Sequence, residues 1–593
     1  MRKMNIGLTA AIVILSVGFV WLSVTAIVRI WQSSIEIGEF VDDKDGSHGK
    51  RAQAIINFIL REAPEIHRKA DLSAISVGQR LRVPMVKHDP GLEQIETLDI
   101  TVKDVRLNWF IGLFRTLSRP SCEVSGRLLV GKTSTEMVVE LTDSSIRSTP
   151  IVVSIPRTAD DESGDTEKAA TDAAYELLYD IYRHFAKDKS RVAGNWISFE
   201  LFTEGLKELQ EYRLATRFAD AGDGQTAEAH LTTAINKLEH VKQIDPGYND
   251  GLYYLGVAYF ERRGLEEKAK AVFQELLSRE PPPRQSFEAR FYLGYARFRT
   301  YRESELKEAL VEYGKLQADL NSRLQDEFPA DEKKRALGLL IETYAQMASA
   351  NAQLLYLLRK PDCDPNQSAA DKHQAKEYFD NTTKYAGEAE KLTKSADDIS
   401  PDILEDVAWR QLNALGYAEF CFACFDSASE YKNHCDKALK YFDQALQRSP
   451  LNFNILENQA EVYRDALYAG RNLDEAEKLF LQSTDLKPDD LYAPQQLGMI
   501  YEGRWKDPAN SNDKEKTTEY YQKMVEYYQK ATELHSSSAA YKLAMMYETL
   551  WNKSHKPDDQ KNMIAYYQKA AQLGSLRAKA RLEALHLPVK AKA

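Results

Sequence analysis

The chain has 593 residues, of which 43% are hydrophobic and 28% are charged, and its formal net charge is −11. This length predicts two or three structural units rather than one core, and the composition is typical of an ordered protein. The acidic balance, with no cluster of Lys and Arg interleaved with aromatic residues, argues against nucleic acid as the main partner.

Residues 1–31 are predicted to form a transmembrane anchor. The run at residues 6–28 contains no charged residue, and as a helix it would be about 34 Å long, enough to cross a bilayer. A cleaved signal peptide is the alternative, although its apolar region would be about half as long. Basic residues precede the run and acidic residues follow it, which predicts a cytoplasmic N-terminus with the bulk of the chain in the periplasm.

Residues 35–191 are predicted to form a small α+β domain, in the order strand, helix, strands, helix. The strands are predicted at 35–41, 122–130, 136–141 and 151–155, and the helices at 51–60, ending near Pro64, and at 166–186. This order resembles the N-terminal domain of TolB-like proteins. Some bacterial proteins place that domain between a membrane anchor and helical repeats.

This domain contains one possible nucleotide-binding motif. Gly126, Gly131, Lys132 and Thr133 satisfy the phosphate-loop pattern G-x4-G-K-[ST]. A phosphate loop needs a flexible turn between a strand and a helix, whereas the residues between the two glycines are apolar and favour a strand. The segment that follows reads as a second strand, so a β-hairpin is the favoured interpretation. An NTPase that uses these four residues is the alternative.

One pattern recurs from Trp196 to roughly Gly574. Apolar residues three and four apart predict two amphipathic helices per unit, with small residues where neighbouring helices approach and aromatic residues filling the gaps. It is clearest over Leu252, Leu255, Gly256, Tyr259, Ala269, Phe273 and Pro281. This order of small, aromatic and proline residues resembles the 34-residue tetratricopeptide (TPR) repeat.

The repeats continue to the end of the chain with local variations. Tyr520, Tyr527 and Tyr566 each begin a near-copy of the string Y-Y-Q-K, and the units over 541–582 also resemble Sel1-type relatives of TPRs. The resemblance implies a mostly α fold, a TPR-type α-solenoid of about eight helical hairpins over 196–574. A capping helix and tail are predicted at 575–593.

A cysteine cluster is predicted within one repeat. Cys421 and Cys424 lie one turn apart on the first helix, and His434 and Cys435 begin the second. Folding would bring these four side chains to the same end of the hairpin, and their types suit tetrahedral zinc. Buried thiols are the favoured interpretation, and a disulfide or a zinc site is the alternative. The chain lacks the H-E-x-x-H and G-x-S-x-G patterns, so neither catalysis nor a cofactor is expected.

Extra residues separate the paired helices of the later repeats at 360–371, 426–434, 503–514 and 552–560. Their Asp, Asn, Pro, Ser and Lys content is typical of exposed loops. Simple variation in loop length is one interpretation. The other is a second binding surface along one edge of the repeats.

The predicted function is a membrane-anchored scaffold that binds another protein in a bacterial envelope complex, and a purely structural assembly subunit is a further alternative. The TPR resemblance implies that the first helix of each repeat lines a concave binding face. Its candidate residues are Tyr253, Phe260, Phe291, Tyr295 and Phe298 in early repeats, and Glu457, Glu461, Arg464, Gln495 and Glu502 in later ones.

The aromatic group predicts a partner segment that is apolar at one end, and the acidic group predicts a segment that is basic at the other. The alternative for the aromatic residues is the core between repeats. TPRs that clamp a chaperone's C-terminal carboxylate use Lys and Asn at such positions, and this chain departs from that pattern.

Overall fold

The computed structural model contains a small α+β part followed by a long series of helices, and it divides into two compact units, Met1–Tyr292 and Leu293–Ala593. The described residues are 34–42, 47–73, 85–86, 101–102, 105–106, 122–130, 133–143, 150–156, 162–185, 192–218, 224–325, 330–359, 368–394, 401–488, 490–510 and 513–587.

Within the described residues, five strands form one mixed sheet in the order β2-β1-β5-β6-β7, and β3 pairs with β4 separately. β1 runs parallel to β2 and β5, whereas β5, β6 and β7 are antiparallel. The strands are β1 Ser34–Asp42, β2 Met85–Val86, β3 Thr101–Val102, β4 Val105–Arg106, β5 Cys122–Val130, β6 Ser134–Asp143 and β7 Ile151–Pro156. The three predicted strands from Cys122 onwards are therefore present.

Two helices, α1 Ser47–Ser73 and α2 Glu162–Phe185, pack on one face of this sheet. Alternate residues such as Val124, Met137 and Val153 are buried towards them, as expected for a sheet with one covered face. The predicted end of the first helix near Pro64 is wrong, because α1 continues through this proline. Ala63 and Ile66 extend its buried apolar stripe beyond the proline, so packing outweighs the missing backbone hydrogen bond.

Among the described residues, α3 to α18 form eight consecutive helix pairs, and α19 Leu576–Ala584 follows them. The first helices of the pairs are α3 Trp196–Phe218, α5 Asn249–Glu261, α7 Pro283–Phe298, α9 Ala330–Leu358, α11 Pro401–Phe422, α13 Phe453–Arg464, α15 Tyr492–Lys506 and α17 Ser537–Ser554. The second helices are α4 Gly224–Ile244, α6 Glu266–Ser278, α8 Glu303–Gln325, α10 Ala369–Lys394, α12 Ala428–Arg448, α14 Leu473–Leu486, α16 Lys514–Glu533 and α18 Pro557–Gln572. This is a mostly α, TPR/Sel1-like helical repeat fold.

The two helices of a pair approach each other closely where a small residue on one faces an aromatic ring on the other. A Cβ atom added at Gly256 would lie 2.7 Å from the Phe273 ring, and one added at Gly416 would lie 2.8 Å from the Phe442 ring. Both rings are fully buried. Close approach of the two helices therefore depends on the absent side chain.

The α+β part contacts the first repeat through the C-terminal half of α1. The His67 ring stacks on Phe199 at 5.2 Å between centroids, and its Nε2 lies 2.8 Å from the Thr203 hydroxyl. Gln210 also donates a hydrogen bond to the Ile66 carbonyl at 2.7 Å. These contacts cover the outer face of α3, as a terminal repeat requires.

The predicted localisation as a single-pass, periplasmically exposed membrane protein is corrected. Among the residues that the structure describes, every helix is either too short or too polar to cross a membrane. Even the longest, α9, begins with charged residues and carries Glu342, Gln346 and Asn351 further along. The predicted span at residues 6–28 lies outside the described residues.

Two of the four predicted loops are shorter than the sequence suggested. Most of 552–560 is helical, because α17 continues to Ser554 and α18 begins at Pro557. In 426–434, α12 begins at Ala428, so much of this segment is also helical. The segment 503–514 contains the end of α15 and a short 3-10 turn, Pro508–Asn510. Residues 360–367 lie outside the described part of the chain.

Candidate interaction surface

Three of the five predicted aromatic surface residues belong to the helix packing. Tyr253, Phe260 and Phe291 are only 3%, 8% and 2% exposed. Tyr253 and Phe260 meet the Tyr292 ring edge-on, at 6.2 Å and 5.4 Å between centroids. A partner therefore cannot reach them on the surface of this structure, because neighbouring helices already cover their rings.

The remaining two aromatic residues, Tyr295 and Phe298, are partly buried. Their rings contact each other at 6.1 Å, and Phe298 also packs against a cluster of buried residues in later helices. The predicted aromatic face is thus reduced to the outer parts of two side chains.

Glu457 and Glu461, from the predicted acidic group, have different surroundings. Glu457 turns towards the second helix of its own pair and accepts a hydrogen bond from the Ser483 hydroxyl at 2.7 Å. Glu461 accepts hydrogen bonds from the Tyr492 hydroxyl at 2.8 Å and from the Arg464 guanidinium. The charge of Glu461 is therefore compensated by Arg464, within the same helix.

Glu502 and Gln495, on α15, also have partners. Glu502 accepts hydrogen bonds from Tyr528 at 2.7 Å, Lys506 at 2.6 Å and Lys542 at 3.2 Å. Burial acts to raise the pKa of Glu502, but these donors outweigh it and lower the pKa. Gln495 accepts a hydrogen bond from the Ser536 hydroxyl at 2.6 Å.

The first helices of consecutive pairs contact one another directly. The Tyr356 ring on α9 stacks on Tyr417 of α11 at 5.5 Å, and Asn458 of α13 donates to Asn413 of α11 at 2.9 Å. Further along, the Arg464 guanidinium lies 4.0 Å from the Met499 sulfur. The Lys542–Glu502 bond then joins α17 to α15.

We call the surface joined by these contacts the first-helix face. The residues in these contacts are Tyr356, Asn413, Tyr417, Asn458, Arg464, Met499, Glu502 and Lys542. We add Glu461, Gln495 and Met545, which lie one helical turn from a contact residue, and Tyr492, which bonds to Glu461. Of these twelve residues, the sequence predicted Glu461, Arg464, Gln495 and Glu502, and it missed the other eight, including the asparagine pair and Met545. The signal was available in the sequence, because Asn413 and Asn458 are separated by about one repeat, a spacing that places side chains on adjacent helices.

The favoured interpretation of the cysteine cluster, buried thiols, holds for Cys421 and Cys435, and the alternative of a zinc site is not supported. Cys421 and Cys435 are buried free thiols, and burial raises the pKa of each to about 12, which disfavours the thiolate that zinc requires. Cys424 is disulfide-bonded, and both ring nitrogens of His434 face carboxylates. Within the described residues, no group of His, Cys, Asp and Glu is suited to hold a metal ion.

The described residues of the phosphate-loop pattern lie in or beside two paired strands, β5 and β6. Gly126 is paired with Val139 in the middle of the β5–β6 ladder, and the element after the motif is a strand rather than a helix. Thr133 directly precedes β6, and Gly131 and Lys132 lie outside the described residues. Among the described residues, β5 is therefore followed by a strand and not by the helix N-terminus that a phosphate loop uses to bind anions.

Comparisons with known proteins show only weak structural similarities. No family model and no curated protein match the chain. Among solved structures, a human IFIT1 dimer with PPP-AAAA is 15% identical, covering 69% of this chain and 90% of that chain, with a TM-score of 0.28. A Sel1 repeat protein from Oxalobacter formigenes is 14% identical, covering 59% and 90%, with a TM-score of 0.22. Because these TM-scores are low, the assignment of the repeat fold depends on the helix pairs described above.

Proposed function

We propose that this helical-repeat protein is a non-enzymatic scaffold that binds a segment of another protein on its first-helix face. The observation that carries the proposal is the row of direct contacts from α9 to α17, which joins side chains of five first helices into one surface. Arrays of stacked helix pairs characteristically offer such extended surfaces to partners. The envelope setting favoured by the sequence depended on the membrane span and is not part of the proposal.

Part of the first-helix face is available for contact. Met545 on α17 is 45% exposed, and the Arg464 side chain is 25% exposed. Because Lys and Arg compensate Glu461 and Glu502, we no longer expect a basic partner. We expect a segment of mixed polarity with an apolar residue against Met545 and an acceptor for Arg464.

The proposal is tested with two matched substitutions. Met545→Arg places a charge on the first-helix face, whereas Val311→Arg makes the same kind of change on a second helix, α8, where Val311 is 55% exposed. Partners that copurify with the tagged full-length protein are identified, and the tightest is titrated against each purified variant.

We expect Met545→Arg to weaken this partner by about tenfold or more, which corresponds to roughly 1.4 kcal/mol. Val311→Arg should leave its affinity unchanged. Equal affinities in both variants would contradict recognition by the first-helix face and favour a purely structural assembly role. Thermal unfolding of both variants checks that neither change disturbs the fold.

The non-enzymatic part of the proposal is supported by the placement of Gly126 within a β-ladder. A phosphate loop holds phosphate through backbone N–H groups that face the ligand, whereas a strand residue in a ladder shares its backbone groups with neighbouring strands. Measurable ATP hydrolysis by the full-length protein that disappears in Lys132→Ala would contradict this part.

A further inference from the structure

A buried histidine lies between two carboxylates at the turn that joins α11 to α12. His434 is 7% exposed. Its Nδ1 lies 2.5 Å from an oxygen of Glu419, and its Nε2 lies 3.1 Å from an oxygen of Asp426. Glu419 is in the last turns of α11, and Asp426 is in the turn itself, so one ring connects both helices and their connection.

The surroundings of the ring leave it little freedom. The Phe422 and Phe379 rings contact the imidazole edge-on, at 5.5 Å and 6.3 Å between centroids. These two phenylalanines also stack on each other at 4.5 Å. The histidine therefore couples α10, which carries Phe379, to the α11–α12 turn.

Only the protonated imidazole can form hydrogen bonds to both carboxylates in this geometry. The imidazolium has two N–H donors and can donate to both carboxylates, whereas neutral histidine has one N–H and one lone pair. Loss of a proton would set a nitrogen lone pair against a carboxylate oxygen. A contact between two acceptors at this buried ring is unfavourable.

We propose that His434, Glu419 and Asp426 form a pH-dependent clamp, which holds the α11–α12 turn closed while the imidazole is protonated and releases it when the imidazole becomes neutral. This clamp is independent of the proposed binding face, because none of its residues belongs to that face.

The pKa shifts of His434 and Asp426 together determine how the stability of the clamp changes with pH. The Glu419 hydrogen bond raises the pKa of His434 above its ordinary value of 6.5, against the opposing effect of burial and with further help from Asp426. The stability that His434 contributes is complete below the pKa that it has in the unfolded chain. This stability is lost as the pH rises through the pKa of His434 in the folded protein. The hydrogen bond from His434 lowers the pKa of Asp426 below its ordinary value of 3.8, so its contribution is lost only in acid.

The other titratable groups near the clamp are of residue types that ordinarily titrate outside the relevant pH range. Lys376 on α10 acts on Asp426, and Tyr441 on α12 is affected by the charges of Glu419 and of Glu390 on α10. Lys and Glu ordinarily titrate near pH 10.4 and pH 4.3, and burial raises the pKa of Tyr441 further above neutrality. Among these described groups, His434 alone changes its charge between about pH 6 and about pH 8.5.

The clamp is tested by hydrogen exchange of the full-length protein at about pH 6 and about pH 8.5, corrected for the intrinsic chemical exchange rate. We expect corrected exchange of the segment 419–434 to increase roughly tenfold at the higher pH, because a neutral imidazole leaves one of the two carboxylates without its donor. His434→Gln should remove this pH response. His373→Gln, which changes an exposed histidine on α10, should retain it.

A second variant keeps the test decisive if His434→Gln fails to fold. Asp426 has a side chain that is 40% exposed, so Asp426→Asn should preserve the fold while removing one charge from the clamp. Its pH response should be smaller and should occur at lower pH than in the wild type. The same tenfold response in wild type and in both clamp variants would overturn the proposal, as would a wild-type segment that exchanges equally at both pH values.

Discussion

At the scale of single residues, the helix pairs depend on glycines that admit aromatic rings. In four pairs, a glycine of the first helix lies against a ring of the second, at Gly256, Gly294, Gly416 and Gly498. Other glycines, such as Gly387 on α10, have open space where a side chain would begin. The chain therefore contains its own control for the effect of an added methyl group.

We expect Gly256→Ala to destabilise the α5–α6 pair by about 1–3 kcal/mol, because its Cβ would overlap the buried Phe273 ring. Gly387→Ala should instead stabilise its helix by about 0.5–1 kcal/mol, because alanine loses less backbone entropy than glycine. Local opening free energies from hydrogen exchange check both changes. A stabilising effect at Gly256 would mean that the two helices are further apart than described.

These glycines could be predicted from the sequence because the small and aromatic residues recur at fixed spacing within one hairpin. The clamp at His434 could not be predicted from the sequence. Its partners are Glu419 on the preceding helix and Asp426 in the turn, so their relation to the ring depends on how two helices are rotated against each other. The sequence therefore left zinc open as an alternative at Cys421, Cys424, His434 and Cys435, since chemical type was visible and orientation was not.

At the scale of elements, three helix ends share one arrangement. The N–H of Ser536 donates to the Ala531 carbonyl at 2.8 Å, and the N–H of Ser575 donates to the Ala570 carbonyl at 2.9 Å. These are the six-residue bonds of a Schellman motif, and α19 ends in the same way before Leu587. The left-handed residue is Gly574 after α18, but His535 after α16.

Replacement of His535 by glycine should stabilise the end of α16. His535 has φ of 71°, a conformation that costs an L-residue about 1–2 kcal/mol, whereas glycine adopts it freely but loses more entropy on folding. We expect a net gain of roughly 0.5–1 kcal/mol for His535→Gly. The reciprocal change, Gly574→Ala, should destabilise α18 by about 1 kcal/mol. Hydrogen exchange at each helix end measures both effects, and a loss of stability in His535→Gly would show that the imidazole itself supports the turn.

The elements themselves differ in how far the sequence determines them. The strands from Cys122 to Pro156 follow from alternation between buried and exposed residues, and the structure matches them closely. The exposure of Tyr253 and Phe260 could not be judged in this way. A helix whose neighbours cover several sides is apolar around much of its circumference, so an aromatic residue outside the repeat pattern is not necessarily on the surface.

At the scale of the whole molecule, contacts between repeats are made mainly by adjacent helices, so stability should be local rather than shared. The C-terminal end illustrates this. α19 contributes Ala578 and Leu582, both fully buried, to a cluster with Met563 and Tyr567 of α18. Without these two residues, the last pair would expose the side that earlier pairs bury against their neighbours.

Leu582 and Leu576 provide a matched test of this cover, since both lie on α19 but are 0% and 77% exposed. Leu582→Ala should destabilise α18 and α19 by about 2–5 kcal/mol through the lost contacts and the cavity left behind. Leu576→Ala should have little effect. Because coupling passes through nearest neighbours, hydrogen exchange in α13 and α14 should be unchanged in both variants. If Leu582→Ala accelerates exchange equally in α13 and α18, the second unit unfolds as one cooperative body, and the description of its repeats as locally stabilised pairs is incorrect.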